Sequence, residues 1–493
     1  MTEAPTHEPR AATPPPSGRS LAVRGSLWTL FSYGSIQVLR LGINLVMARL
    51  LFPDAFGLMA LVNIFMQGLQ MVSDIGLGPS IIQNKRGEDP AFLRTAWTIQ
   101  IVRGFGLWLL ASILAYPVTL FYSANDPYAA SLSMLLPVSA LVAVIGGFNS
   151  LGLFLLNRAM SMGRLAALEL VPVLISTVVM VGWALISPSV WALVAGNLAL
   201  SVSRLVLSHL WNPGPADRPG WDRGCFDEIF HFGKWVFLSS LVTFFANNLD
   251  RLMLGKMLNM AELGIYNIAM NLVGVTSTLA AALSSAVIFP LLARLQDDPG
   301  RMVDACLRAR GLVLWMVGAI CVGFALVAPL FFTSLYDARY HAAGPLSQWL
   351  ALFVWSQALS SGMDRIPLSL GRPRVLFNAN VLTTAGMSLA LPGYLGFGLP
   401  GFILGLTVAN LASHGYLIAT LPHGRGAMVR QSAAFTLGLL AYALPLVLLL
   451  QGELFAASPA LQLLTVTLAA GPLALFGAWK VWRGVRAPKA TGA

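Results

Sequence analysis

Two long apolar segments near the amino terminus, each with one polar face, constrain this chain more than any other feature. Ser26–Leu51 and Gly57–Gln83 both exceed the roughly 20 residues that a helix needs to cross a bilayer. Polar side chains recur along each segment at helical spacing, so each predicted helix has one polar stripe. The stripes are Tyr33, Gln37, Arg40 and Asn44 on the first helix, and Asn63, Gln67, Gln70 and Asp74 on the second.

A polar stripe inside a membrane has two interpretations. Polar side chains are costly in hydrocarbon, so such a stripe is expected to face protein or a water-filled cavity. We interpret the helix pair as one wall of a transport pathway. The alternative is that the amides only join neighbouring helices by hydrogen bonds, as Asn and Gln often do in membranes.

The rest of the chain predicts an all-α, polytopic membrane protein with about 14 transmembrane helices. Apolar residues make up 57% and charged residues 10% of the sequence, whereas soluble proteins have about 25% charged residues. The three cysteines fit no disulfide or metal-ligand spacing, so no cofactor or metal is expected. After the first two, the predicted helices are Phe92–Phe121, Ala129–Asn157, Gly163–Ile186, Ser189–Leu210, Ile229–Leu258, Leu263–Leu295, Val303–Phe332, Pro345–Ser369, Arg374–Tyr394, Leu399–Leu421, Val429–Leu450 and Pro459–Trp482.

The distribution of positive charge predicts the orientation. With these helices, 24 of the 31 basic residues, Arg310 among them, fall in connections on the side of the amino terminus. The opposite side has only Arg49, Lys256 and Arg339. Because positive charge resists translocation, both termini are predicted to be cytoplasmic. The net charge of +11 follows from this topology, so no nucleic-acid partner is expected.

A weak internal repeat predicts two six-helix lobes related by a pseudo-twofold axis along the membrane normal, plus a C-terminal helix pair. Arg49–Leu58 aligns with Lys256–Ile265 at an offset of 207 residues, with identical residues at Leu51/Leu258 and Gly57/Gly264. The predicted division is a disordered cytoplasmic tail (1–24), an N-terminal lobe (25–211), a linker (212–228), a C-terminal lobe (229–422) and the final pair with its tail (423–493).

Three segments resemble one family of transporters. They are ARLLFPDAFGLMAL (Ala48–Leu61), SDIGLGPSIIQ (Ser73–Gln83) and NNLDRLMLGKMLNMAELGIYNIAMNLV (Asn247–Val273). These segments are similar to those of the polysaccharide-transporter flippases in the multidrug/oligosaccharidyl-lipid/polysaccharide superfamily. The resemblance implies a bacterial inner-membrane flippase that moves lipid-linked oligosaccharide to the outer leaflet. Its implied partners are this substrate, membrane lipids and the polysaccharide polymerase machinery.

Ionisable residues inside the predicted helices narrow the chemistry. Arg40 and Arg103 lie at mid-depth, and guanidinium groups bind phosphate oxygens in a bidentate way that suits a diphosphate linker. The alternative is that each arginine neutralises a neighbouring acid, as Asp74 would for Arg40. The predicted substrate-binding residues are Arg40, Arg103, Gln37, Asn44, Gln67, Asn247, Asn267 and Asn271. The predicted ion-coupling or gating residues are Asp74, Asp250, Arg251 and Glu169.

Two other functions stay open at this point. A multidrug or organic-cation antiporter of the same superfamily would need acidic residues to dominate the cavity, whereas arginines are at least as numerous here. A membrane glycosyltransferase or polymerase would be expected to have an acidic motif or a large loop on the outer face. The longest predicted outer connection is about residues 333–344, so we predict a transporter and not an enzyme.

Overall fold

The computed structural model describes residues 18–73, 77, 81, 89–158, 162–211, 217–288, 291–292, 295, 298–370, 372–421 and 423–450, with the backbone alone for 18–33 and 227–240. All regular structure in these ranges is helical, which confirms the predicted fold class. Eight helices in the described ranges are long and apolar enough to cross a membrane. The chain is therefore a multi-pass membrane protein.

The helices follow each other in two series. The first series is α1 (Gly18–Leu50), α2 (Pro53–Val72), α3 (Pro90–Ser123), α4 (Leu132–Gly147), the short α5 (Gly152–Arg158), α6 (Met162–Ile186) and α7 (Trp191–Leu210). The second series is α8 (Arg223–Met257), α9 (Met260–Leu283), α10 (Pro299–Leu335), α11 (Ala343–Ser360), the short α12 (Arg365–Ser369), α13 (Pro373–Gly386) and α14 (Ala390–Ala419), and α15 (Arg425–Leu450) comes after it. We call the side on which α1 begins the start side, and the opposite side the far side.

Several helix bounds differ from the predicted ones. Helix α1 begins at Gly18, so residues 18–24 of the predicted disordered tail are helical. Helix α8 begins at Arg223, inside the predicted linker, because the Asp222 side chain accepts the Cys225 backbone N–H and caps the helix there. The last predicted helix, Pro459–Trp482, lies outside the described residues, so the count of fourteen stays a prediction.

One glycine separates the predicted eleventh and twelfth helices. Gly398 has a φ of +62° within α14, a backbone conformation that favours glycine because it has no Cβ. The chain reverses direction there, between Ala390–Phe397 and Leu399–Ala419. The break predicted between Arg374–Tyr394 and Leu399–Leu421 is therefore present, and Gly398 is the one residue between the two helical arms.

The two series meet at the far-side ends of α2 and α9. A Cβ on Gly57 would overlap the carbonyl oxygen of Met260, and a Cβ on Gly264 would overlap that of Pro53. Gly57 and Gly264, like Pro53 and Met260, are separated by the repeat offset of 207 residues. The predicted equivalence thus appears as a pair of reciprocal contacts, which is what a twofold axis between these helices requires.

Polar contacts close the far side between the two series. Arg49, at the end of α1, donates to the Leu335 carbonyl at the end of α10, with Nη2 to O at 3.1 Å. Its repeat equivalent Lys256, near the end of α8, donates to the Phe121 carbonyl near the end of α3 at 2.5 Å. We call these two reciprocal contacts the far-side clamps. They hold the two halves together on this side.

A buried carboxylate adds a third contact on the same side. Asp126 accepts the backbone N–H of Met260 at 2.7 Å. Met260 is the first residue of α9, where backbone N–H groups lack partners within the helix. The carboxylate also lies at the positive end of the helix dipole, which favours it further.

Candidate functional site

The polar face of α2 borders a cavity of about 200 Å³ between α2, α4 and α7. Asn63, Gln67 and Gln70 lie on that face at helical spacing. Four further residues on the wall are apolar. The polar residues contributed by the other two helices are Ser139 of α4 and Asn197 and Ser201 of α7.

Several of the predicted polar residues are accessible although they lie within helices that the sequence predicts to span the membrane. Asn63, Gln67 and Gln70 of α2 and Asn247 of α8 are exposed, and so is Asn271 of α9. Amide side chains are costly in contact with lipid, so they are expected to face a water-filled space. This arrangement supports the predicted polar wall and disfavours amides that serve only to pack helices.

The Arg40 side chain is exposed on α1, and it forms no hydrogen bond or ion pair with any residue of the described ranges. Gln37 and Asn44, from the same stripe, are partly buried. Asp74, the predicted partner of Arg40, lies outside the described residues, so this ion pair stays a prediction.

Arg103 has a different environment. Its Nη2 donates to the Gln70 carbonyl at 2.8 Å, and its Nε donates to the Ser73 hydroxyl at 2.9 Å. Gln70 lies in the last turn of α2, where carbonyl groups lack partners and the helix dipole favours a cation. The guanidinium thus holds the end of α2, immediately behind the wall of the cavity.

The predicted coupling residues lie in separate places. Asp250, on α8, is 3% exposed and accepts the Tyr266 hydroxyl at 2.8 Å, while its second oxygen has no partner in the described ranges. Arg251 forms no ion pair there with Asp250, and its buried Nε is also without a partner. Glu169 is exposed on α6, and Asn267 is partly buried on α9.

The prediction that Arg310 belongs to a start-side connection is wrong. It lies within α10 and is fully buried. Nη1 donates to Gln431 Oε1 at 2.7 Å, and Nη2 donates to the Leu359 carbonyl at 2.6 Å and to Ser432 Oγ at 3.0 Å. Helix α10 runs from Pro299 to Leu335, so Arg310 lies well inside it, as it also does inside the predicted helix Val303–Phe332, and it should not have been counted with the connections. It joins α10, α11 and α15.

No group of three or more His, Cys, Asp or Glu side chains in the described ranges is placed to hold a metal ion. The polar part of the cavity wall consists of amides and hydroxyls. Such groups bind and orient a ligand. The described part of this wall holds no pair of a nucleophile and a base.

A family model described as "Polysaccharide biosynthesis protein" matches residues 46–345 of this chain. The chain belongs to this family. The matched range extends from the end of α1 to the start of α11, so it includes the cavity wall, both clamps and Asp250. Membership in this family confirms the resemblance found in the sequence.

Two curated relatives agree with the polysaccharide biosynthesis family. The chain is 22% identical over 331 residues to the teichuronic acid biosynthesis protein TuaB of Bacillus subtilis, covering 65% of this chain and 66% of that protein, just under two thirds of its length. It is also 22% identical to the lipopolysaccharide biosynthesis protein WzxC of Escherichia coli, covering 74% of this chain and 73% of that protein.

A solved structure has the same fold as this family member. An inward closed conformation of the lipid II flippase MurJ superposes with a TM-score of 0.70 and 12% identity, covering 94% of this chain and 99% of that chain. At this identity the likeness concerns the fold alone. It extends over nearly the whole chain, and so it supports the two-series architecture beyond the part that the family model matches.

Proposed function

We propose that this protein is a flippase that moves a lipid-linked oligosaccharide across the bacterial cytoplasmic membrane for cell-surface polysaccharide biosynthesis. Membership of the polysaccharide biosynthesis family supports this function. A protein named for lipopolysaccharide biosynthesis and one named for teichuronic acid biosynthesis are among its relatives. The fold shared with a lipid II flippase agrees with transport of a lipid-linked substrate.

The orientation is part of the proposal. Since 24 of the 31 basic residues are predicted on the side of the amino terminus, the start side is taken as cytoplasmic and the far side as external. The far-side clamps then lie at the external face.

Two observations support alternating access. The far-side clamps join the two halves by hydrogen bonds to backbone carbonyls, and amide residues of α2, α8 and α9 remain exposed. We propose that the two halves rock against each other about this polar space. Arg40 is proposed to bind the diphosphate, and Asp74 or Asp250 to bind a coupling ion.

Gene deletion with complementation tests the proposed transport. Cells that lack the protein are expected to accumulate the lipid-linked glycan on the cytoplasmic face and to lose the corresponding surface polysaccharide. The wild-type gene restores export. If the deletion strain builds normal surface polysaccharide and accumulates no intermediate, the protein is not the flippase of that pathway.

Ion coupling needs a separate measurement in the complemented cells. Under coupling, export by the Asp74→Asn or Asp250→Asn variant no longer responds when an uncoupler collapses the ion gradient. A wild-type response to the uncoupler in both variants would exclude these two carboxylates. The buried, partly unpartnered carboxylate of Asp250 makes it as strong a candidate as Asp74.

A further inference from the structure

The cavity within the first series has the chemistry of a sugar site. Its polar wall is formed by Asn63, Gln67, Gln70, Ser139, Asn197 and Ser201, and the rest of the wall by two methionines, a valine and a leucine. We infer that this cavity, enclosed by α2, α4 and α7, binds one sugar ring of the lipid-linked glycan through its hydroxyl groups. The inference rests on the proposed flippase function and names a part of its substrate site.

The choice of side chains favours a neutral, hydroxyl-rich ligand. Carboxamides both donate and accept hydrogen bonds, and so do serine hydroxyls. Each hydroxyl of a sugar also does both, so an amide and a sugar hydroxyl can satisfy each other. The lining residues include no charged side chain. A phosphate would be expected to recruit arginine, and a hard cation would be expected to recruit carboxylates.

The cavity can hold one ring of a longer glycan. Its volume is about 200 Å³ and it is partly open, so a ring can lie in it while the rest of the glycan extends outside. Ser139, on the wall of the cavity, is 5% exposed. Its hydroxyl has no hydrogen-bond partner in the described ranges. A ligand hydroxyl would supply one.

The repeat shows that the fold itself does not require these amides. At the offset of 207 residues, Asn63, Gln67 and Gln70 correspond to Met270, Gly274 and Ser277 of α9. The reciprocal glycine contacts place α2 and α9 in this register. The Ser277 hydroxyl is bonded to Gln357 of α11 at 2.8 Å, within its own half. At these three positions the amides are found in the first series alone, so the helix contact does not require them, although α9 has amides of its own at Asn267 and Asn271.

Binding of two probes that differ only in the sugar tests the inference. The probes are farnesyl diphosphate and farnesyl diphosphate linked to glucose, galactose or N-acetylglucosamine, measured against the purified full-length protein in detergent. Wild-type protein is expected to bind at least one sugar-bearing probe about tenfold more tightly than the bare diphosphate. Asn197→Leu and Ser201→Ala are expected to abolish that gain and to leave binding of bare farnesyl diphosphate unchanged.

A matched control and two separate outcomes complete the test. Asn378→Leu makes the same exchange on α13, where the amide donates to the Tyr416 hydroxyl. This variant is expected to bind the sugar-bearing probe more tightly than bare farnesyl diphosphate, as the wild type does. If no sugar-bearing probe gains affinity in the wild type, or if both cavity variants keep the gain, the sugar site is wrong. Failure of the proposed function appears separately, as normal export in cells that lack the protein.

Discussion

At the scale of single residues, two arginines that looked equivalent in the sequence have different environments. Arg40 and Arg103 were both predicted to contact a diphosphate from mid-depth. Arg40 is exposed and forms no hydrogen bond or ion pair in the described ranges. The Arg103 guanidinium instead bonds the end of α2 through Gln70 and Ser73. The structure thus favours Arg40 as the phosphate ligand and Arg103 as a residue that positions α2.

This difference predicts how variants of Arg40 and Arg103 behave. Arg40→Ala is expected to lower export and diphosphate binding by at least about tenfold without changing thermal stability, because a charge-assisted contact is lost. Arg40→Lys is expected to restore part of the activity, since an ammonium cannot form the two-pronged contact. Arg103→Ala is expected to lower the unfolding temperature as well as export. Normal export by Arg40→Ala would remove Arg40 from the site.

At the scale of the helix, the closest contact in the described structure is between α2 and α9. Gly57→Ala is expected to force the two helices apart, because the added methyl group would overlap the Met260 carbonyl. The unfolding temperature of the purified protein should fall, by an amount equivalent to roughly 1–3 kcal/mol or more. Gly42→Ala is the control, since nothing lies within 4 Å of a Cβ there. If both variants were equally stable, the close contact of α2 and α9 at Gly57 would be contradicted.

Helices also mark where sequence reasoning was sufficient and where it was not. Apolar length and charge placement predicted the helices, and the offset of Gly57 and Gly264 predicted the reciprocal contact. Arg310 was misplaced because it was counted with the charges of a connection although it falls within the predicted helix Val303–Phe332. Ser139, Asn197 and Ser201 were missed, although Asn197, Ser201, Arg204 and Ser208 recur at helical spacing along α7 and were a signal in the sequence. Only the packing of α2, α4 and α7 brings them to one cavity.

At the scale of the whole molecule, the far-side clamps join the two halves, and under the proposed mechanism their loss would favour opening on the far side. Arg49 and Lys256 are repeat equivalents, and each donates to a carbonyl in the opposite half. A clamp on each side of the twofold axis holds the two halves evenly. The clamps involve backbone acceptors, so they can re-form after every cycle without a specific partner side chain. Their loss should therefore shift the balance of states without unfolding either half.

The double variant Arg49→Ala, Lys256→Ala is expected to favour the outward-open state. Each lost bond is worth about 0.5–1.5 kcal/mol, so the balance should shift about tenfold. A cysteine in place of Asn271 reports this state, because an impermeant thiol reagent reaches it from outside only when the far side opens. The native Cys225, Cys306 and Cys321 are buried, which keeps the background low.

The labelling rate of this cysteine should rise about tenfold in the double variant and less in each single variant, as expected for two bonds that act together. Arg425→Ala is the control, because Arg425 lies on the start side and donates to Leu421 of its own half at 2.9 Å. An unchanged rate in the double variant would mean that the clamps do not hold the far side closed. The reciprocal glycine contact of α2 and α9 would then be the element that does.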